Sequence, residues 1–332
     1  MMRVVIDTSY IAYRAMHSLG ALEANDTPTG TLYGFLLSLL ELGQRFQTTQ
    51  FIFAFDSPTN EGVRRKAYPD YKVKRHADDT EEEKIKREAV RKQLDLLRTS
   101  ILPSLGFKDV FYFKGFESDD IIAAMVGRDG KRLPIGCTVE DRYVIVSADH
   151  DFYQLLEGNG RVVMYNISTK EIYTAADLLR IWDCLPDQWV WILACAGCDT
   201  DEVKGLTGIG FKSAISYLLG KTTARKKQLI ESSEGEASIE RNRPLVLLPH
   251  PLFPWDMMDV KGTQFTDNGR EFRRVCDKYK FQSFLREPLF SQWKNFFLGK
   301  FDVRPVIARS FCTPPQRALG MVSKVVRGGF KV

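Results

Sequence analysis

No apolar run in the 332-residue chain approaches the ~20 residues needed to cross a bilayer; the longest span residues 36–40 and 189–196. A secretory leader is not expected either, because Asp7 interrupts the apolar stretch 4–6 almost at once. Cysteine is sparse: Cys137, Cys184, Cys195, Cys198, Cys276 and Cys312 have neither metal-finger spacing nor the density of a disulfide scaffold, which points to a reducing cytoplasm. Internal repeats and low-complexity segments are missing as well. These absences exclude membrane, secreted, fibrous and disordered classes. What is left is a folded chain with 44% hydrophobic residues, long enough for one large or two modest domains.

Net charge is only +5, but its distribution is uneven. Residues 64–75 hold six basic side chains against one acid, Asp70, and residues 300–331 hold seven against Asp302. Acids recur in tight pairs, such as Asp119 with Asp120 and Asp149 with Asp151. Basic patches beside clustered carboxylates suggest a polyanion held against a metal site.

Continuous rather than alternating apolar runs at 4–6, 51–55, 110–113, 143–146 and 162–165 predict buried parallel strands. Helical patterns lie between them at 31–46, 80–102, 118–126 and 152–156, which makes an α/β protein with helices on both faces of a parallel sheet. The helix from Thr80 opens on a capping box with Glu83 and has only a narrow apolar stripe of Ile85, Ala89, Leu94 and Leu97. Residues 61–98 therefore read as an exposed basic excursion. Helices follow at 175–182, 187–196 and 210–219, then a polar, partly mobile connection over 222–242. One or two amphipathic helices are expected over 270–298, and a basic tail beyond 299.

The first four predicted strands lead to acid: Asp7, Asp56, then Glu117 with Asp119 and Asp120, then Asp149 with Asp151. The carboxyl ends of parallel strands share one edge, so these acids converge although they are scattered along the chain. So many carboxylates crowded together repel, and bound divalent cations would offset that repulsion. Oxygen ligands select Mg²⁺ or Mn²⁺, and no His or Cys set favours zinc. A second signal is Gly205-Leu206-Thr207-Gly208-Ile209-Gly210-Phe211-Lys212-Ser213, a tight turn opening a helix whose free amides suit phosphate oxygens. It is not the dinucleotide fingerprint, since position 213 is serine and the segment follows a helix.

At these residues the sequence resembles the structure-specific 5′ nuclease family, which includes flap endonucleases, the 5′ nuclease domain of bacterial DNA polymerase I and phage 5′–3′ exonucleases. The matching pieces are Ile6-Asp7-Thr8-Ser9 through Arg14, Phe55-Asp56-Ser57 and Tyr68-Pro69-Asp70-Tyr71-Lys72-Val73-Lys74-Arg75. They continue with Gly115-Phe116-Glu117-Ser118-Asp119-Asp120, Ser147-Ala148-Asp149-His150-Asp151 and the stretch 197–210 ahead of Lys212. Six pieces in family order cover roughly residues 3–220.

The resemblance implies a PIN-like α/β catalytic domain over 1–174 with a helical arch at about 61–98. It implies a helix-hairpin-helix-type DNA-binding domain over 175–298 with its hairpin at about 203–219. Asp7, Asp56, Glu117, Asp119 and Asp120 would hold a first metal ion, and Asp149, Asp151, Asp199 and Asp201 a second. Lys72, Arg75 and Arg14 would engage the scissile phosphate. Tyr71, Gly208, Gly210, Lys212 and Ser213 would contact DNA, with K⁺ at the hairpin. The implied activity is metal-dependent 5′–3′ exonuclease or flap endonuclease cleavage of flapped, nicked, gapped or RNA-primed duplexes, by a monomer in a bacterial or phage-infected cell. One departure stands out: aligning Asp201 and Val203-Lys204-Gly205 puts Cys198 where the family has its first aspartate. A thiol is a poor ligand for Mg²⁺, so the second site is expected to be weak. A non-catalytic protein that binds DNA structures remains the alternative.

Overall fold

The computed structural model describes residues 1–24, 27–58, 62–127, 132–265 and 268–301. The basic tail expected from 299 onwards falls outside them from residue 302. Five strands run parallel: β1 (Met2–Asp7), β2 (Phe51–Phe55), β3 (Val110–Tyr112), β4 (Arg142–Val146) and β5 (Val162–Asn166). A sixth, β6 (Glu171–Tyr173), pairs antiparallel with β5 at the sheet edge. The helices are α1 (Thr8–Leu19), α2 (Gly30–Phe46), α3 (Val63–Ala67), α4 (Glu81–Leu96), α5 (Ser118–Val126) and α6 (Ala175–Trp182). They continue with α7 (Pro186–Ala196), α8 (Phe211–Leu218), α9 (Ala224–Ile230), α10 (Ser233–Val246), α11 (Gly269–Lys278) and α12 (Leu289–Phe297).

The sheet order is β3-β2-β1-β4-β5-β6. The chain lays β2 and β3 on one side of β1, then crosses to the other side for β4. The seam where β1 pairs with β4 is thus the topological switch point, beside which ligands bind in open α/β sheets. Alternate strand residues enter opposite cores: Val4, Ile6, Phe51, Phe53, Val144 and Val146 on one face, Val5, Ile52, Ala54, Tyr143 and Ile145 on the other. Both faces are covered, which is why the strands are continuously apolar.

Several expectations need correction. The proposed excursion over 61–98 is exposed only in part. Residues 81–86 stand in solvent, with Ile85 69% exposed, but Val90, Gln93 and Leu97 are buried. Gln93 Oε1 accepts from the Leu32 amide at 3.1 Å, anchoring α4 to α2. Beyond Leu96 the helix widens into a π turn, Leu97–Ile101. The supposed connection 222–242 is mostly α9 and α10. Nor do residues 175–298 form one helical unit. α11 and α12 send Phe272, Trp293 and Phe296 into the core beneath β1, β2 and α2, whereas α7, α8 and α10 pack into the opposite core.

Candidate active site

β1 ends at Asp7, which caps α1 by accepting from the Tyr10 amide at 3.1 Å. Across the seam, β4 ends at Val146, and Ser147 donates its hydroxyl to Asp7 Oδ2 at 3.0 Å. Asp149 follows, accepting from the Asp151 amide at 2.8 Å and so opening a 3₁₀ turn. On the other side of β1, Asp56 follows β2 and accepts from Ser118 through both its amide, 2.7 Å, and its hydroxyl, 2.8 Å. Ser9 also donates to Asp56. These serines orient the carboxylates, a role the sequence reading missed although each flanks an aspartate or a strand end.

The acids of α5 separate by direction. Glu117 stands at its N-terminus and faces the rim, where it accepts from Lys72 Nζ at 2.8 Å. Asp119 makes no hydrogen bond or ion pair among the described residues. Asp120 points inward and is fully buried. Arg64 grips it with both terminal nitrogens at 2.6 and 2.7 Å, and the His250 amide donates to it at 2.7 Å. With its oxygens already satisfied, Asp120 is not placed as a metal ligand; it fixes α3 and the 245–250 segment to α5.

Lys72 has left-handed backbone, φ 53°, and its side chain is only 7% exposed. Its Nζ lies 3.5 Å from Asp201 Oδ1, and its amide donates to the Asp201 carbonyl at 3.1 Å. The Lys74 amide donates to Glu202 Oε1 at 2.7 Å, so the basic loop is tied to the 199–202 turn. Tyr71 is buried rather than presented to DNA. Its hydroxyl lies 3.0 Å from Glu117 Oε2 and 3.2 Å from Asp201 Oδ2, sharing one proton between two carboxylates. Arg75 is exposed, and Arg14 lies half-buried two turns along α1 from Asp7. Neither makes a side-chain hydrogen bond or ion pair among the described residues.

The electrostatics reflect crowding. Burial, then Asp56 and Asp149, pushes the Asp7 carboxyl up to about 7. Burial, then Asp149 and Asp201, pushes Asp151 up to about 8. Asp119 is raised well above the carboxylate range by burial, Asp149 and Asp7. Glu117 goes the other way: burial opposes ionisation, but Lys72 and Arg64 outweigh it. For Lys72, burial is likewise outweighed by Glu117, Tyr71 and Asp201, so the ammonium persists. Carboxylates crowded around Asp119, which has no partner among the described residues, suit divalent cations, whose charge would offset the mutual repulsion.

Asp151, Cys198 and Asp201 bring one ligand atom each within 4.8 Å of one another. Asp199 is exposed and outside this group, so it does not replace the missing aspartate. The turn is closed by Gly197 and Gly205. A Cβ on Gly197 would lie 2.3 Å from the Gly205 nitrogen, and one on Gly205 2.1 Å from the Ala196 carbonyl. Further on, Gly208 takes φ 81° and, with Gly210 and Lys212, is exposed at the start of α8. α8 has no side-chain cap at Gly210. Ser213 is engaged by Lys226, whose Nζ donates at 2.6 Å. The expected serine-to-phosphate contact thus becomes a lysine held beside the hairpin.

Comparison with known proteins gives four likenesses. The sequence model of the 5′-3′ exonuclease N-terminal, resolvase-like domain matches residues 2–183. The chain is 26% identical over 318 residues to thermostable DNA polymerase I of Thermus aquaticus, covering 95% of this chain and 35% of that one. It is 28% identical over 215 residues to the 5′-3′ exonuclease of Aquifex aeolicus, covering 64% and 68%. The chain thus spans about a third of that polymerase's length. Its fold is similar to that of T5 5′-exonuclease solved with zinc, with a TM-score of 0.61 at 22% identity over 75% of this chain and 90% of that one. Among the described residues, no helix is long and apolar enough to cross a membrane.

Proposed function

The chain belongs to the 5′-3′ exonuclease family, and from that premise we propose that it hydrolyses phosphodiesters at the 5′ ends of flapped, nicked, gapped or RNA-primed duplex DNA. The observation that carries this reading is the carboxylate rim astride the β1–β4 seam, with Asp119 unpartnered and Lys72 buried among the acids. Asp7, Asp56, Glu117, Asp119 and Asp149 are the residues we propose for a first divalent ion, Mg²⁺ or Mn²⁺, and Asp151 with Asp201 for a second divalent ion whose identity the sulfur beside them bears on. When bound, such ions supply a hydroxide-like nucleophile near neutral pH and screen charge at the scissile phosphate.

This chain's own groups do the rest. Lys72, held charged by Glu117 and Asp201, presents an ammonium at the rim for a non-bridging phosphate oxygen. Arg75 extends that positive charge outward, and Arg14 adds a further phosphate contact. Tyr71 orients Glu117 and Asp201. The exposed turn at Gly208 and Gly210, with Lys212 and Lys226, holds duplex backbone without reading sequence, and K⁺ at this hairpin would add to the hold. The products would carry a 5′-phosphate and a 3′-hydroxyl. We place the protein, as a monomer, in the cytoplasm of a bacterial or phage-infected cell, in replication or repair.

The test is product analysis on matched flapped, nicked and gapped duplexes labelled at the 5′ end, with and without magnesium. Magnesium-dependent release of short 5′ products is expected. Tight binding to the flap with no cleavage in magnesium or manganese would replace this reading with that of a non-catalytic DNA-structure-binding protein.

A further inference from the structure

The second acidic position of this chain is not a carboxylate set with one member missing. It is a mixed set of two carboxylates and one sulfur. The ribbon formed by Gly197–Cys198 and Val203–Lys204 brings Cys198 beside Val203, and the one-turn Asp199–Asp201 helix between them returns Asp201 to the side of Cys198. Asp151 arrives from a different part of the fold, the 3₁₀ turn after β4. Their three donor atoms lie within 4.8 Å of one another. Donors on one tetrahedral ion with bonds of about 2.0–2.3 Å stand roughly 3.3–3.8 Å apart, so the trio is close enough to gather around a single ion by a modest contraction.

The surroundings prepare the two carboxylates unequally. Asp201 is oriented by the Tyr71 hydroxyl at 3.2 Å and Lys72 Nζ at 3.5 Å, as metal-binding carboxylates commonly are by their neighbours. Asp151 is largely buried, yet its carboxylate has no hydrogen bond or ion pair among the described residues. It therefore points into the trio with its acceptor capacity unused. The Cys198 sulfur lies 3.1 Å from the Thr200 hydroxyl. Sulfur changes which ion such a trio prefers. Thiolate binds Mg²⁺ poorly and Zn²⁺, Co²⁺ or Cd²⁺ well, while both carboxylates suit all of them.

We propose that Asp151, Cys198 and Asp201 form a site for a thiophilic divalent cation of the zinc class, leaving the Asp7–Asp119 side of the rim to harder ions. Binding replaces the thiol S–H bond by a sulfur–metal bond, and the proton goes to solvent. Three protein donors leave a tetrahedral ion one open position, as in catalytic rather than structural sites. The proposal rests on the reading of the rim as a metal-binding edge and gives its second half a chemical identity of its own.

The metal-free full chain is titrated with Co²⁺ and followed by near-ultraviolet and visible absorption, with Cd²⁺ as a second probe. A thiolate-to-metal charge-transfer band saturating at one ion per chain is expected. It should vanish in Cys198→Ser, weaken at least about tenfold in affinity in Asp201→Asn, and survive millimolar Mg²⁺. Cys198→Asp should lose the band and lower the Mg²⁺ concentration for half-maximal cleavage. A band that persists in Cys198→Ser, or no band in a wild-type chain shown by circular dichroism to be folded, would overturn the site. A chain with the band but no cleavage of any 5′-labelled duplex sustains the site and overturns the nuclease reading; cleavage without the band does the opposite.

Discussion

Asp119 and Asp120 are neighbours in sequence, and α5 turns them into opposite environments, since successive helical residues point about 100° apart. Asp119 reaches the rim unpartnered, whereas Asp120 is clamped by Arg64. Asp119→Ala is expected to cut turnover on a flap substrate by at least about a hundredfold while leaving flap binding in place, measured by single-turnover cleavage and fluorescence anisotropy. Near wild-type turnover in that variant would remove the metal assignment. Arg64→Met strands the buried Asp120 charge and should cost about 3–5 kcal/mol in chemical denaturation. A loss below about 1 kcal/mol would show that Asp120 finds another partner. Lys72 is also buried, but its partners are rim acids. Lys72→Ala should therefore lower kcat by roughly a hundredfold or more with a much smaller change in KM. A change confined to KM would assign it to binding alone.

At the scale of elements, polarity misled where capping was legible. Residues 222–242 look like a connection because most of their side chains are polar. Yet Thr223 and Ser232 each stand at a helix start and accept from the amides of Lys226 and Gly235, at 3.4 and 3.1 Å. The signal was there in two cap residues. What the helix buries was not legible: Asn242 is wholly inaccessible and donates to the carbonyls of Ala194 and Lys204, both at 2.9 Å. The α2–α12 contact is a similar case. Gly43 sits inside α2, where alanine would favour an isolated helix by about 1 kcal/mol. Here a Cβ would lie 2.3 Å from Phe296 Cε2. That ring is hemmed in by Phe51, Phe107 and Trp293 and cannot step aside. Gly43→Ala is expected to destabilise by about 1–3 kcal/mol, with Tm as the measure; a gain in Tm would mean that α12 yields.

For the whole molecule, the rim's crowding has a consequence for stability. Asp7 at about 7 and Asp151 at about 8 both lie above the ordinary aspartate value of 3.8. Between those limits the folded chain holds more protons than the unfolded one, so the stability they contribute is full below about 4 and is lost as pH rises through 7 to 8. Glu117, held below its usual value, contributes in the opposite sense, at more acidic pH. In a chelator, Tm should fall by roughly 5 °C or more between about pH 5.5 and 8.5, and millimolar Mn²⁺ should remove most of that fall. A metal-free Tm that climbs with pH across this window would contradict the crowding.

The sequence by itself determined the parallel sheet, because strands buried on both faces must be continuously apolar, and it put an acid after the first four of them. It also marked the glycine turn and the capping box, since both are local geometry written in a few residues. Only the tertiary structure decided which acids face the rim, that Tyr71 and Asp120 turn inward, and that α11 and α12 complete the core under β1 rather than a separate helical unit. Those choices depend on which distant surfaces meet: Arg64 on Asp120, Phe296 on Gly43, Cys198 beside Asp151. Chain order leaves such meetings open, and packing the sheet's two faces settles them.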